Sequence, residues 1–232
     1  MRPNYRVLFI ETYPTGSHRR MLDLITKHSR HEYLVALAPR DEWRWVTGAA
    51  HHHIIRSLDE RFSSAMAAPD LIVFSGPLNT AGIVAGLPAK LRDVPRVTFF
   101  HESQWTYPNP PTEILPYLLG HIDSVALSDA SWFNSEYHRR TFKQHTLNAS
   151  MRRMRRLARD VIHDFDARSR VLYPPVELEA CPTRKRSGTG PTIAWAARWE
   201  QEKRPDLFVR AMARVREAGL ERDGCACVLC GT

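Results

Sequence analysis

Two residues that could take part in acid–base chemistry, His101 and Glu102, come directly after an apolar run. They lie in the segment 99–108, which reads Phe-Phe-His-Glu-Ser-Gln-Trp-Thr-Tyr-Pro. The imidazole of His101 can take up or release a proton near neutral pH, and Glu102 beside it can accept hydrogen bonds. Residues 94–100 are mostly apolar and β-branched, which is typical of a parallel strand covered on both faces. Because open α/β sheets bind ligands where such strands end, we predict an active-site edge at this pair. The alternative is a hydrogen-bonded polar pair that only closes the strand.

The elements that would position this pair alternate regularly along the chain. Predicted strands lie at 6–11, 33–38, 70–74, 94–100, 130–134 and 171–176, and predicted helices at 19–28, 79–85, 111–127 and 151–165. Glycine and proline turns separate them. This order predicts an α/β fold built on a Rossmann-like, doubly wound parallel sheet.

The first predicted turn holds Gly16 and Ser17. We expect Ser17 to cap the following helix, and the free backbone N–H groups there to form a site for an anion or a sugar hydroxyl. The alternative is a turn that only needs a positive φ at Gly16.

A polar, glycine-rich segment at 183–190 predicts a domain boundary. We expect a first domain over 1–178, a linker over 179–190 and a second domain over 191–232. The second domain holds a single β-α-β unit, with strands at 192–197 and 225–230 around a helix at 205–217. One such unit cannot cover both faces of its sheet, so we expect this domain to be incomplete.

Composition places the chain among soluble globular proteins, with 43% hydrophobic and 25% charged residues over 232 positions. No apolar run approaches the ~20 residues of a membrane span, and the start of the chain has no signal-peptide pattern. We therefore predict a cytoplasmic protein without stable membrane insertion. The sequence does not indicate an oligomeric state.

Most of the net charge of +8 lies in one segment. Residues 139–170 hold ten basic and three acidic side chains, a local excess of seven positive charges. Within it, apolar residues recur at helical spacing and five arginines occupy the other positions: Arg152, Arg153, Arg155, Arg156 and Arg159. Such a patch favours an anionic partner such as nucleic acid. The alternative is a solvated arginine face over a docked apolar stripe.

Two clusters could be interpreted as metal ligands. In the triplet His51-His52-His53, adjacent residues of a strand point to opposite faces, so we favour a solvated or edge-strand triplet. The cysteines at 225, 227 and 230 alternate with apolar residues, which favours a buried strand over a metal cluster. We predict no metal site.

The residues also resemble a known family, the glycosyltransferase family 4 enzymes of GT-B fold, and within it the tRNA-queuosine mannosyltransferases. The matching stretches run along nearly the whole chain: Ile10-Glu11 with Gly16-Ser17-His18, Phe100 to Gln104 with Tyr107-Pro108, Phe133-Asn134-Ser135, Tyr173-Pro174-Pro175, and Ala197 to Glu200 with Lys203 and Pro205-Asp206. Each is weakly specific alone, but their order and spacing together are fairly specific for this branch.

The resemblance implies transfer of mannose from GDP-mannose to queuosine at the wobble position of a tRNA, with retention at the anomeric carbon and no other cofactor. It implies catalytic roles for His101, on the acceptor hydroxyl, and for Glu102. Further implied roles are donor binding by Arg198, Lys203, Gly16 and Ser17, acceptor binding by His18, Gln104 and Asn134, and tRNA binding by the five arginines of the basic segment.

The sequence departs from the family pattern at two places. Thr15 stands where relatives often have another glycine, and the downstream Glu-x7-Glu donor motif is absent because the sequence stops at Thr232. We expect a fragment or truncated gene product, with the family activity in the intact protein and not in these residues alone. Alternatives are a family-4 transferase acting on a lipid or small sugar, and a non-catalytic tRNA-binding remnant.

Overall fold

The structure is a computed structural model, and it describes residues 4–41, 43–63, 66–75, 79–102, 114–147, 163–178, 192–219 and 226–231. The chain divides into two units, with the main boundary after Glu177. The predicted linker at 179–190 lies outside the described residues, so the domain bounds proposed from the sequence stay a prediction.

The first unit is built on a six-stranded sheet in which every neighbouring pair is parallel. Its strands are β1 (Arg6–Glu11), β2 (Glu32–Leu37), β3 (Leu71–Ser75), β4 (Arg96–Phe100), β5 (Ala130–Phe133) and β6 (Ser169–Val171). The order across the sheet is β2-β1-β3-β4-β5-β6. The predicted mixed α/β fold with a parallel sheet is therefore confirmed.

The strand order reverses direction at β1. The chain moves from β1 to β2 on one side and then returns to β3 on the other. Doubly wound sheets bind their ligands beyond the carboxyl ends of the strands at such a reversal, which here are the ends of β1 and β3.

Helices cover both faces of this sheet. They are α1 (Gly16–His28), α2 (Trp43–Phe62), α3 (Thr80–Ala85), α4 (Ile114–Ala126), α5 (Glu136–Thr141) and α6 (Phe165–Arg168). Successive residues of a strand point to opposite faces, and β1 divides its apolar side chains accordingly. Val7 and Phe9 pack with Met21 and Leu22 of α1. Leu8 and Ile10 belong to a larger core formed with α2 and α3.

The start of α1 differs from the prediction. The helix begins at Gly16 with Thr15 as its N-cap, so Ser17 lies inside the first turn and is not the cap. Gly16 has a φ of +51°, a conformation that glycine adopts without strain. The N-cap therefore lies two residues earlier than expected.

The histidine triplet lies in α2, so the edge-strand interpretation was wrong. Buried residues recur every four positions along this helix, at Val46, Ala50, Ile54, Leu58 and Phe62, and they form one face against the sheet. This four-residue spacing is typical of a helix, and it determines the structure of the segment that contains the triplet. His51 packs against α3, where a Cβ added at Gly82 would come within 2.7 Å of its ring.

An aromatic cluster fills the space beside β4 and β5. It consists of Phe100, Phe133, Phe142 and Phe165, with Val125 of α4. Phe142 begins a short π-helical turn, Phe142–Leu147, that follows α5 directly. Most of the helix predicted at 151–165, including its five arginines, lies outside the described residues, so this helix stays a prediction.

The second unit holds two parallel strands, β7 (Thr192–Ala196) and β8 (Ala226–Cys230), joined by α7 (Pro205–Glu217). The β-α-β prediction is therefore confirmed for this segment. The expected burial of the cysteines is wrong, because Cys227 and Cys230 are exposed. Among the described residues no helix combines the length and the apolar character that crossing a membrane requires.

Candidate functional site

Polar side chains from three strand ends meet at the reversal in strand order. Glu11 is the last residue of β1, Ser75 is the last residue of β3, and His101 directly follows β4. His18, in the first turn of α1, joins them. We call Glu11, His18, Ser75 and His101 the switch-point cluster.

The carboxylate of Glu11 is the centre of this cluster and is fully buried. Its Oε1 accepts a hydrogen bond from the backbone N–H of Tyr13 at 2.7 Å and lies 3.4 Å from Nδ1 of His18. Its Oε2 accepts from Oγ of Ser75 at 2.6 Å and lies 3.7 Å from Nε2 of His101. Both carboxylate oxygens therefore have hydrogen-bonding partners.

These partners keep Glu11 ionised. Burial alone would raise the pKa of Glu11, but the side-chain contacts with His101 and His18 hold that pKa well below its usual range. Because the histidine contacts outweigh the effect of burial, Glu11 is a buried anion at the end of β1.

The two imidazoles stack face to face beside the carboxylate. The ring centroids of His18 and His101 are 3.6 Å apart with an interplanar angle of 17°. Nε2 of His101 lies 2.8 Å from Oγ of Ser75, and the ring of Phe99 meets that of His101 edge-on at 4.8 Å. Burial lowers the pKa of His101, against the opposing effect of its contact with Glu11, so a neutral ring is favoured near pH 7.

Asn134 supports His101 from the next strand. Its Nδ2 donates a hydrogen bond to the backbone carbonyl of His101. Its Oδ1 accepts from Oγ of Ser135 at 3.1 Å and lies 3.0 Å from Nδ1 of His138. The structure thus places Asn134 against the backbone that carries His101, while its predicted role in acceptor binding stays a prediction.

The cluster contains a triad that could be considered for a metal. The candidate ligand atoms of Glu11, His18 and His101 lie within 4.8 Å of one another. A histidine nitrogen binds metal in the plane of its ring, at about 2.1 Å. An ion midway between rings 3.6 Å apart would lie about 1.8 Å out of both planes, so this stacked geometry suits hydrogen bonding better than coordination.

Several predicted residues are not brought into this cluster. Glu102 follows His101 and is exposed. Gln104 and the five arginines Arg152, Arg153, Arg155, Arg156 and Arg159 lie outside the described residues. Arg198 and Lys203 belong to the second unit, where Arg198 pairs with Glu200 at 2.5 Å. Gly16 and Ser17 form the start of α1 beside His18.

Sequence reasoning gave no role to Glu11 or Ser75. Each is the first polar side chain after an apolar run, Val7–Ile10 for Glu11 and residues 71–74 for Ser75. The same signal that pointed to His101 was thus present at both positions. A carboxylate that directly follows a buried strand is the feature that could have identified Glu11.

Three comparisons relate the chain to known proteins. A family model described as the tRNA-queuosine alpha-mannosyltransferase N-terminal region matches residues 6–176. A curated tRNA-queuosine alpha-mannosyltransferase from Drosophila melanogaster is 24% identical over 226 residues, and the alignment covers 91% of this chain. The chain spans 58% of the length of that relative. A crystal structure of UDP-N-acetylglucosamine 2-epimerase covers 99% of this chain and 69% of its own, with 14% identity and a TM-score of 0.37, too low to bear on fold or function.

The family match covers all six strands of the parallel sheet and every residue of the switch-point cluster. The chain therefore belongs to the tRNA-queuosine alpha-mannosyltransferase N-terminal family.

Proposed function

We propose that the protein is a retaining glycosyltransferase that transfers mannose from GDP-mannose to queuosine in the anticodon of a tRNA. The family match over residues 6–176 carries this proposal, and the name of the Drosophila melanogaster relative supports it. The switch-point cluster adds a proton-accepting group where a doubly wound sheet binds its ligand. The GT-B architecture of family 4 belongs to the same proposal.

The proposed reaction needs a proton acceptor for a hydroxyl group. A hydroxyl oxygen of queuosine bonds to the anomeric carbon of mannose, and the bond from that carbon to the diphosphate breaks. The electron pair of the broken bond leaves on the phosphate oxygen. His101 takes the hydroxyl proton, since burial favours its neutral form, which has a nitrogen lone pair.

The other predicted residues have supporting roles in this proposal. Backbone N–H groups at Gly16 and Ser17, where α1 begins, stabilise the charge that develops on the departing diphosphate. Donor binding by Arg198 and Lys203 of the second unit stays a prediction from the sequence. Glu102 orients the acceptor or binds sugar hydroxyls. His18 and Gln104 contact the acceptor.

Transfer can be tested directly with radiolabelled GDP-mannose and the full-length protein. We expect label to enter tRNA that contains queuosine and not the same tRNA with guanine at the wobble position. Label in a lipid or a free sugar, with none in tRNA, would overturn the proposal in favour of the other acceptors. Salt-dependent tRNA binding without GDP-mannose binding would instead indicate a non-catalytic tRNA-binding protein.

The proposed proton acceptor can be tested by replacing His101 with alanine. We expect kcat to fall about 10²–10⁴-fold, the usual contribution of a general base. His28→Ala is a matched control, because His28 ends α1 and its side chain is 61% exposed. Unchanged kinetics in His101→Ala would remove His101 from the reaction while leaving the transfer activity itself established.

A further inference from the structure

We infer that Glu11 and Ser75 fix the tautomer of His101, so that Nδ1 of this ring is the nitrogen that takes up the proton. Glu11 is then a positioning residue that acts through Ser75, and Nε2 of His101 carries the hydrogen. The identity of the tautomer follows from the hydrogen-bond geometry around an ionised Glu11 and does not depend on the reaction. The role of Nδ1 as the atom that takes the proton from the acceptor hydroxyl rests on the proposed function.

The first step is the direction of the bond between Ser75 and Glu11. An ionised carboxylate has no hydrogen, so each of its oxygens can only accept. Oγ of Ser75 lies 2.6 Å from Oε2 of Glu11, which is the short distance typical of a hydroxyl donating to a carboxylate. The single hydrogen of Ser75 is therefore committed to Glu11.

The second step is the bond between Ser75 and His101. Oγ of Ser75 also lies 2.8 Å from Nε2 of His101. Because its own hydrogen already points to Glu11, Ser75 can only accept here, and Nε2 must be the donor. In a neutral ring the other nitrogen, Nδ1, then holds the lone pair. Among the described residues Nδ1 of His101 has no hydrogen-bond partner.

The same carboxylate acts on His18 through the opposite ring nitrogen. Nδ1 of His18 lies 3.4 Å from Oε1 of Glu11, which can only accept, so Nδ1 is the donor in this long contact. In the neutral form of this ring Nε2 would hold the lone pair. The backbone N–H of Tyr13 already occupies Oε1 at 2.7 Å, so this constraint is weaker than the one on His101.

This arrangement also stabilises the product of proton uptake. When Nδ1 of His101 is protonated, the imidazolium still donates from Nε2 to Ser75, and Ser75 still donates to the buried anion. The positive ring then lies 3.7 Å from Oε2 of Glu11, where an opposite charge favours it. No proton has to leave the carboxylate or the hydroxyl.

Stacking sets a limit on how many protons the cluster holds. The ring of His18 lies 3.6 Å from that of His101, so a charge on one disfavours a charge on the other. The cluster therefore takes up a second proton less easily than the first.

The tautomer can be measured by nitrogen-15 NMR on histidine-labelled protein without donor or acceptor. We expect the signal of a protonated nitrogen at Nε2 of His101 and that of an unprotonated nitrogen at Nδ1. Ser75→Ala should abolish this preference. Ser128→Ala is the matched control, because Ser128 is another buried serine, bonded to Thr98 of β4 at 2.7 Å, and it should leave the His101 signals unchanged.

A hydrogen on Nδ1 of His101 in the unmodified protein would overturn the inference. So would a Ser75→Ala spectrum that retains the Nε2–H form alone. Neither result depends on mannose transfer, so failure of the proposed function and failure of this inference can be told apart.

The effect on turnover provides a second readout. In Glu11→Gln and in Ser75→Ala we expect kcat to fall about tenfold or more, the factor equivalent to one pKa unit, with KM little changed. Loss of the Glu11 charge should also move the acidic limb of the pH–rate profile to lower pH, because the imidazolium loses its anion. The titratable groups that act on His101 from other positions are His18, Glu102 and His138, and all three are retained in both variants. An unshifted profile in Glu11→Gln would contradict the positioning role.

Discussion

Replacing His121 with phenylalanine should reduce the loss of stability that acidification causes between pH 7 and pH 5. His121 lies in α4 beside the aromatic cluster, 5.9 Å from the ring of Phe100 and 5.5 Å from that of Phe142. Its Nδ1 is inaccessible to water and has no hydrogen-bond partner among the described residues. Burial, with a smaller contribution from the charge of His138, lowers the pKa of His121 from 6.5 to about 4.

The size of the effect follows from these two pKa values. The folded-state pKa lies below the unfolded one, so the unfolded chain binds more protons between about pH 4 and pH 6.5. The stabilising contribution is therefore complete above pH 6.5 and is lost as the pH falls towards 4. From pH 7 to pH 5 the loss is about 2 kcal/mol for one such histidine. His138, whose pKa burial also lowers to about 4, adds a similar loss.

Urea unfolding at several pH values measures how the free energy of unfolding depends on pH. We expect His121→Phe to remove about 2 kcal/mol of the loss between pH 7 and pH 5, which is large against the ~5–15 kcal/mol of a typical domain. Phenylalanine keeps the aromatic contacts and cannot be protonated. His163→Phe is the control, because the side chain of His163 is 84% exposed and does not pack in the core. If His121→Phe kept the slope of the unmodified protein, the buried neutral histidine would be refuted.

Other predictions concern stability and metal dependence. Asn79→Ala should lower the free energy of unfolding by about 1 kcal/mol in urea titrations, since its side chain accepts from the N–H of Gly82 as the N-cap of α3. Phe165→Ala should cost about 3–5 kcal/mol by the same method, because this ring is 1% exposed and stacks on Phe142. A chelator should leave the proposed mannose transfer unchanged, and loss of transfer that one divalent ion restores would contradict the non-metal interpretation of the cluster.

Much of the sheet was predictable because β1, β3 and β4 are largely apolar runs, each ended by a polar residue. Each predicted strand contains at least part of an observed one, and the bounds differ by a few residues. α2 was not predicted, because its signal is an apolar residue every fourth position, interrupted by the histidine triplet. Three adjacent histidines suggest a local motif, but the burial of Ile54 and Leu58 on one face stabilises this segment as a helix.

The site was only half predictable, for a topological reason. His101 could be identified because it directly follows its strand. Glu11 and Ser75 are 64 residues apart and meet only because β1 pairs with β3 across the reversal in strand order. A sequence shows where each strand ends but does not show which ends are neighbours. The hydrogen bond between Glu11 and Ser75 therefore cannot be inferred from their separation in the sequence.

The same topology explains why the carboxylate of Glu11, at the centre of the cluster, is held in one position. β1 lies between β2 and β3, and the backbone carbonyl of Glu11 accepts from the N–H of Ala38 at 3.0 Å on one side. On the other side the N–H of Thr12 donates to the carbonyl of Ser75 at 3.3 Å. The carboxylate is thus held by a backbone that is bonded on both sides, whereas His18 lies in the first turn of α1 and His101 directly follows β4. Because the charged partner is the one bonded on both sides, the sheet itself contributes to the orientation of both rings.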